Sequence, residues 1–417
     1  MPPRALLASY RRLFAAPGAT AFTLAGLLGR LALSMNGVSL VVLLAERRGS
    51  YALAGTVSAA GLVTGAIGMP LLGRLVDRFG QSRVAVPAAL YNAVPLTALL
   101  LCVRLGAPDW TLYACWAAGA APNLGGMARA RWAHLHRDDP AARHLANSFE
   151  QALDELCFMA GPVLAMLLCT TVAPEAGLLT AGAVGTTGAL LFAAQRGTEP
   201  PLPVPAPTGE RHGSPLRVPG LRVLALTFLA TGMVFGATEI TTVAYADALG
   251  HKAAAGPLLA LVAGGSCLAG LLFGLLTPRR SPGARFLLGV AAMASVLLLP
   301  LAAGLGGAGL VALGAALFAA GTATAPTMVT GMTLIQELLP QRQFNEGMAV
   351  AVSGIVVGIS AGAALAGTLA ERAAPGTGYA LPAGAAALAL LIALAGRRHL
   401  RASGPAENGA RVVSASV

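Results

Sequence analysis

The amino-acid sequence predicts an all-α membrane protein whose twelve spanning helices form two six-helix halves. Of its 417 residues, 56% are hydrophobic and only 11% charged, with a mean hydropathy of +0.72. A soluble domain carries roughly 25% charged residues. Apolar stretches of about 20 residues, each enough to cross a bilayer as a helix, recur along nearly the whole chain. One segment rich in proline, "RGTEPPLPVPAPTGERHGSPLRVP" at 196–219, interrupts them near the middle.

The spacing places spans near 18–45, 52–72, 84–103, 110–128, 148–171 and 177–195, then 220–246, 254–276, 285–303, 307–332, 346–369 and 378–396. The first follows a basic start containing Arg4, Arg11 and Arg12. It is too long for a signal-peptide core and lacks a small-residue cleavage site, so it reads as a retained span. Trp110 and Trp132 flank the fourth span, as aromatics at a membrane interface do. The five cysteines (102, 115, 157, 169 and 267) fall inside apolar runs and read as small buried hydrophobes, not as a disulfide framework. Two rows of small residues, Ser266-x₃-Gly270-x₃-Gly274 and Gly354-x₃-Gly358-x₃-Gly362, have the spacing that lets helix backbones approach closely in lipid.

Charge orients the chain. Of the 28 Lys and Arg, five (Arg47, Arg48, Arg104, Lys252 and Arg372) fall in loops on one side and Arg30 lies within a span; all the others fall on the opposite side. By the positive-inside rule that side is the cytoplasm, so both termini and the central linker are expected there. The net charge of +11 is then an orientation signal, and no nucleic-acid partner is implied.

The predicted organisation is an N-terminal half at 1–195, a cytoplasmic Pro-rich linker at 196–219, a C-terminal half at 220–396 and a cytoplasmic tail at 397–417. The halves echo each other. "GRLVDRFGQSR" (73–83) has a faint counterpart in "GLLTPRRSPGAR" (274–285), and "AGAAPNLGGM" (118–127) in "GTATAPTMVTGM" (321–332). Two parallel six-span halves place a substrate site between them at mid-membrane.

Charges at membrane depth are the candidate site residues, because each costs roughly 2.5–3.5 kcal/mol even on lenient insertion scales. Arg30 lies in "LLGRLALSMNGVSLVVLLA" and Glu239 in "FGATEITTVAYA". Asn36, two turns beyond Arg30, can offer hydrogen bonds to a solute or to another helix. In "NSFEQALDELCFMAGPVLAMLL" (147–168), Asn147-x-x-Glu150 and Ser148-x-x-Gln151 have the form of a capping box, so Glu150 is expected to start a helix. Asp154 and Glu155 then lie about 10 Å further along. A gating ion pair with Arg129 or Arg131 and a proton or substrate site are both open to them.

The loop "GRLVDRFGQSR" resembles the signature between spans two and three of the major facilitator superfamily, with Gly73, Leu75, Asp77, Arg78, Phe79, Gly80 and Arg83 matching and Gln81 and Ser82 departing from it. The resemblance implies that Asp77 and Arg78 of this loop latch the cytoplasmic ends of the halves. The free N–H groups that start span eleven also favour an anion, so Asp77 is expected to act through Arg78 or that helix start, with Arg78 or Arg342 screening Glu346. The resemblance also implies that spans one and seven line a central cavity. Gly161 and Pro162 in "CFMAGPVLA" are similar to a packing or hinge element in span five of the superfamily's drug:proton antiporters. Those antiporters carry an arginine in span four, and 110–128 contains none.

An enzyme or pump is disfavoured. All six histidines lie in loops or tails; His134-x-His136 has no Cys or acid at ligand spacing. No Gly-Lys-Ser/Thr phosphate loop surrounds the single lysine, Lys252. No cofactor or metal is expected. The expected function is export of a small organic molecule driven by protons, by a monomer in the plasma-membrane bilayer. A uniporter or importer of a polar metabolite and a non-transporting receptor or scaffold are the alternatives.

Overall fold

A computed structural model describes residues 3–202, 214–251, 254–276, 280–370 and 374–400. Part of the linker and most of the C-terminal tail lie outside the described residues. The chain is helical throughout the described residues: α1 (Pro3–Leu13), α2 (Ala19–Arg48), α3 (Tyr51–Phe79), α4 (Gln81–Arg104), α5 (Asp109–Ala117), α6 (Leu124–Leu135), α7 (Pro140–Thr171), α8 (Ala176–Ala194), α9 (Pro219–Ala248), α10 (Ala255–Phe273), α11 (Pro282–Val296), α12 (Leu298–Leu305), α13 (Gly309–Leu338), α14 (Phe344–Ala370) and α15 (Ala380–Ala395). Eleven segments among them are long and apolar enough to cross a membrane. The hydrocarbon core holds no water to satisfy backbone N–H and C=O groups, so a spanning chain satisfies them within helices.

The twelfth passage is α5 and α6 together. The helix breaks over "GAAPN" at 119–123, between Ala117 and Leu124, and Asn123 restarts it, its side chain accepting from the Gly126 amide at 3.0 Å. The related stretch at 321–332 stays helical through Pro326 in α13. Passage nine bends once, where α11 gives way to α12 around Leu297.

Two boundaries differ from the expectation in ways that move chemistry. Helix α6 runs to Leu135, not to 128, so Arg129, Arg131 and Trp132 are helical and buried. Helix α7 starts at Pro140, with Asp139 Oδ1 accepting from the amides of Ala141 and Ala142, both at 3.0 Å. Asp-Pro is a strong start signal, since proline has no N–H to satisfy in the first turn and aspartate caps those that remain. Glu150 is therefore not a capping residue. Asp154 and Glu155 lie about 21 Å along α7 rather than about 10 Å.

Helices before and after the linker meet at the end of the bundle that carries the linker. Gly73 of α3 sits against the backbone of Asn345 and Glu346 in α14, where a Cβ would come within 2.6 Å of the Asn345 carbonyl. Gly270 and Gly274 of α10 sit against Ser148 on α7. Asn147 on α7 exchanges hydrogen bonds with Gln336 on α13, at 3.0 and 3.1 Å. Tyr10 of α1 donates to the Leu271 carbonyl of α10 at 2.9 Å. Within the second half, α9 and α14 cross through their glycines: Gly232 and Gly236 face the backbone of Ile355 and Ile359, and Gly358 faces Leu229. Such contact gains dispersion without any need for large side chains, which suits packing in lipid.

Candidate functional site

Four charges from three helices meet inside the first half. Arg30 of α2 is 7% exposed; its Nη1 lies 2.6 Å from Glu150 Oε2 and 3.1 Å from Asp154 Oδ1. Arg129 of α6 reaches Asp154 Oδ2 at 2.7 Å. Glu150, wholly buried, also accepts from Trp132 Nε1 at 2.6 Å. The cluster carries two positive and two negative charges, which is what makes its burial tolerable: one buried ion left alone costs several kcal/mol, and mutual pairing offsets most of it.

The geometry follows from the hairpin of α6 and α7. Running antiparallel, they place Arg129 beside Asp154 and Trp132 beside Glu150, while α2 supplies Arg30 from across the half. Asp154 is the most accessible member, its side chain 21% exposed. It bridges both arginines, one through each oxygen, so its charge decides how they are held. Close packing of α2 on α7 continues one to two turns on, where Gly161 lies against Ser34 and Ser34 Oγ donates to the Cys157 carbonyl at 2.8 Å. Pro162, next in sequence, sits within an unbroken α7.

Arg131 is not part of this cluster. Fully buried, it stacks 3.9 Å from the Phe192 ring centroid and spends its donors on Gln81 Oε1, the carbonyls of Phe192 and Gln195, and Thr198 Oγ1. It ties α6 to the start of the linker. Trp132, expected at the lipid interface, is 1% exposed and packs edge-on to Phe14 and Phe22; Trp110 is 70% exposed.

Glu155 points elsewhere. Its Oε1 accepts from Gln151 Nε2 at 3.1 Å and from Ser266 Oγ of α10 at 2.9 Å, so it joins the two halves. Ser266 belongs to the small-residue row that also brings Gly270 and Gly274 against α7.

Glu239 and Asn36 are not brought into the cluster. Glu239 on α9 is exposed and makes no ion pair or hydrogen bond among the described residues. Arg30, the other charge read at membrane depth, is committed to Glu150 and Asp154. Asn36 is half-buried, with no side-chain hydrogen bond among the described residues.

At the linker end, Asp77 closes α3 onto α14. Its Oδ1 accepts from the amide and Nδ2 of Asn345, at 3.0 and 2.7 Å, and its Oδ2 from the amide of Glu346 at 2.9 Å. A helix N-terminus presents free N–H groups and a partial positive charge, so a carboxylate from the other half completes it. Arg78 takes no part; it is exposed and lies over Phe79. Arg74 is the cation facing Glu346, at 4.0 Å, where Arg78 or Arg342 was expected. Gly80 turns the chain from α3 to α4 at φ +94°, a conformation open to glycine and strained for other residues. Arg83 is exposed on the first turn of α4.

Comparison with known proteins agrees with this architecture. The model of the Major Facilitator Superfamily matches residues 22–317. An uncharacterized MFS-type transporter, y4rN of Sinorhizobium fredii (strain NBRC 101917 / NGR234), is 29% identical over 374 residues, covering 87% of this chain and 90% of that protein. Among solved structures, a bacterial homologue of the iron transporter ferroportin in an outward-facing state with soaked iron superposes with TM-score 0.70 at 16% identity, over 91% of this chain and 98% of that one. The human organic anion transporter MFSD10 (TETRAN) gives 0.66 at 19% identity, over 90% and 98%. The E. coli fucose:proton symporter FucP gives 0.65 at 16% identity, over 90% and 98%.

Proposed function

The chain belongs to the major facilitator superfamily, and from that premise we propose that it exports a small organic molecule by alternating access, in exchange for protons. The family and the fold are those of a multi-pass membrane transporter and not of an enzyme. What supports proton exchange is the four-charge cluster, and Asp154 within it above all. A carboxylate shared by two arginines binds each of them strongly when ionised. Protonation leaves Arg30 with Glu150 alone and strands Arg129, whose buried guanidinium then needs another anion or water. The half holding α2, α6 and α7 thus has two charge states that favour different arrangements, which is what coupling requires.

Arg129 also supplies a basic residue within the fourth passage, where the span read from sequence stopped one residue short. The second element is the seal at the linker end, formed by Asp77 of α3 against the start of α14 and by Asn147 with Gln336. We read this as the state closed toward the linker, in which substrate has access from the far end. The arginine distribution supports a cytoplasmic linker, and we propose the plasma membrane as the setting. Gly197→Cys, in the linker, should therefore resist impermeant thiol reagents in intact cells, while Trp110→Cys should react.

The functional test is flux in proteoliposomes, with the transported compound chosen by ligand stabilisation of the purified protein. An imposed pH gradient should drive the wild type uphill and leave Asp154→Asn unable to accumulate. Flux insensitive to the gradient would make the protein a uniporter, and no flux for any stabilising ligand would favour the receptor reading.

A further inference from the structure

Three of the five basic residues on the far side from the linker converge on one cup. Arg47 and Arg48 end α2, Arg104 ends α4, and with Val103 and Gly106 they line a cavity of about 450 Å³ in which no acidic side chain takes part. Their commitments differ. Arg47 pairs with Glu175 at 2.8 Å, and that hydrogen bond holds the Glu175 carboxyl below its ordinary value. Arg48 donates through Nη2 to the carbonyls of Cys102 and Ala107, at 3.0 and 2.6 Å, with Asp109 3.8 Å from its Nη1. Its Nε is buried and has no hydrogen-bond partner among the described residues. Arg104 is exposed and makes no ion pair or hydrogen bond among the described residues, although its charge also acts on Glu175.

Basic residues at helix C-termini do satisfy carbonyls and the helix dipole, and Arg48 does so here. That account leaves Arg104 and the Arg48 Nε unexplained. With Glu175 answering Arg47 and Asp109 lying near Arg48, the cup keeps one positive charge in excess. Glu46, the remaining acid on this end of α2, is exposed and does not line the cup.

Apolar surface adjoins the cup. Leu105, beside Arg104, is 81% exposed, and Leu101 one turn earlier on α4 is 51% exposed. Trp110, in the next helix, has the exposure of an interfacial anchor. A cationic cup at the level of the interface, with a greasy strip running away from it along α4, has the chemistry of an amphipathic anion.

We propose that Arg48 and Arg104 form a phosphate-binding site occupied by the headgroup of an anionic phospholipid, whose acyl chains run along Leu101 and Leu105. Guanidinium groups suit this role because their fixed fork of donors matches phosphate oxygens. The site lies wholly in the first half and is separate from the charge cluster around Asp154.

Delipidated protein in a neutral detergent tests this, by titration with short-chain phosphatidylglycerol, with phosphatidylcholine of equal chain length and with inorganic phosphate. Phosphatidylglycerol should raise Tm and bind at least tenfold more tightly than phosphatidylcholine. Arg104→Gln, which breaks no bond within the protein, should lose that preference with an unchanged ligand-free Tm. Binding of inorganic phosphate as tight as that of phosphatidylglycerol, and lost in Arg104→Gln, would keep the anion site and assign it to a soluble phosphate instead. Equal binding of both lipids by the wild type, or an undiminished preference in Arg104→Gln, would overturn the proposal.

Discussion

Arg129 and Asp154 meet at 2.7 Å across the α6–α7 hairpin, and Arg30 approaches the other oxygen of the same carboxylate at 3.1 Å. The pair is a bridge within a neutral cluster, so removing one member leaves the charges unbalanced. Asp154→Asn should lower stability by about 3–5 kcal/mol, the cost of stranding a buried partner. Arg129→Gln in the same chain should recover much of that loss. Transport should not recover with it, since the titrating carboxylate is gone. A double-mutant cycle read by both Tm and flux checks this, and recovery of uphill transport in the double variant would remove Asp154 from coupling.

Asp77 completes the N-terminus of α14 with three accepted hydrogen bonds, although Asp77 and Asn345 lie 268 residues apart in sequence. Asp77→Ala leaves those amides without an acceptor and should open the linker end. Ser148 is fully buried in the seam between α7 and α10, which makes it the reporter. In a Cys-free background, Ser148→Cys should react with permeant thiol reagents at least tenfold faster when Asp77→Ala is present. Equal labelling together with normal flux would show that Asp77 does not hold the halves.

The α9–α14 crossing depends on having no side chain at Gly358, where a Cβ would strike the backbone at Leu229. Gly358→Val should cost about 1–3 kcal/mol by forcing the helices apart. Gly367, further along the same helix, has nothing within 4 Å of where its Cβ would be. Gly367→Ala should be neutral. The two variants, compared by thermal unfolding, separate helix contact from a general intolerance of α14.

How far the sequence reached depended on boundary signals. The loop around Asp77 was legible because its chemistry sits in one short stretch, and the depth of Arg30 stood out because charge is rare in an apolar run. Arg129 was missed by a single residue, since hydropathy falls off at the charges themselves. The better signal lay in "APNLGG", a Pro-Asn break with a cap, and in "DDPAAR", an Asp-Pro start. Read together, they end one helix before 120, start the next at 124 and begin α7 at 140. With those boundaries Trp132 moves from the interface into the core, and Glu150 from a cap to an ion pair. The partners of Arg131 were not legible, because Gln81 and Thr198 reach it only through tertiary packing.

Glu239 separates coupling from architecture. Among the described residues its carboxylate has no cation to pair with, so neutralising it strands none of them. Glu239→Gln keeps the shape of the side chain and should leave Tm unchanged, in contrast to Asp154→Asn. Any loss of transport in this variant is then functional. If Glu239 carries the proton, Glu239→Gln should fall at least tenfold in accumulation against a gradient while still exchanging substrate across the membrane, since exchange requires no net proton movement. The measurement is uphill uptake and counterflow on the same proteoliposomes across a range of pH. Wild-type accumulation with wild-type pH dependence would leave Glu239 without a role in coupling. The proton would then belong to Asp154, whose two arginines already give its charge a structural consequence.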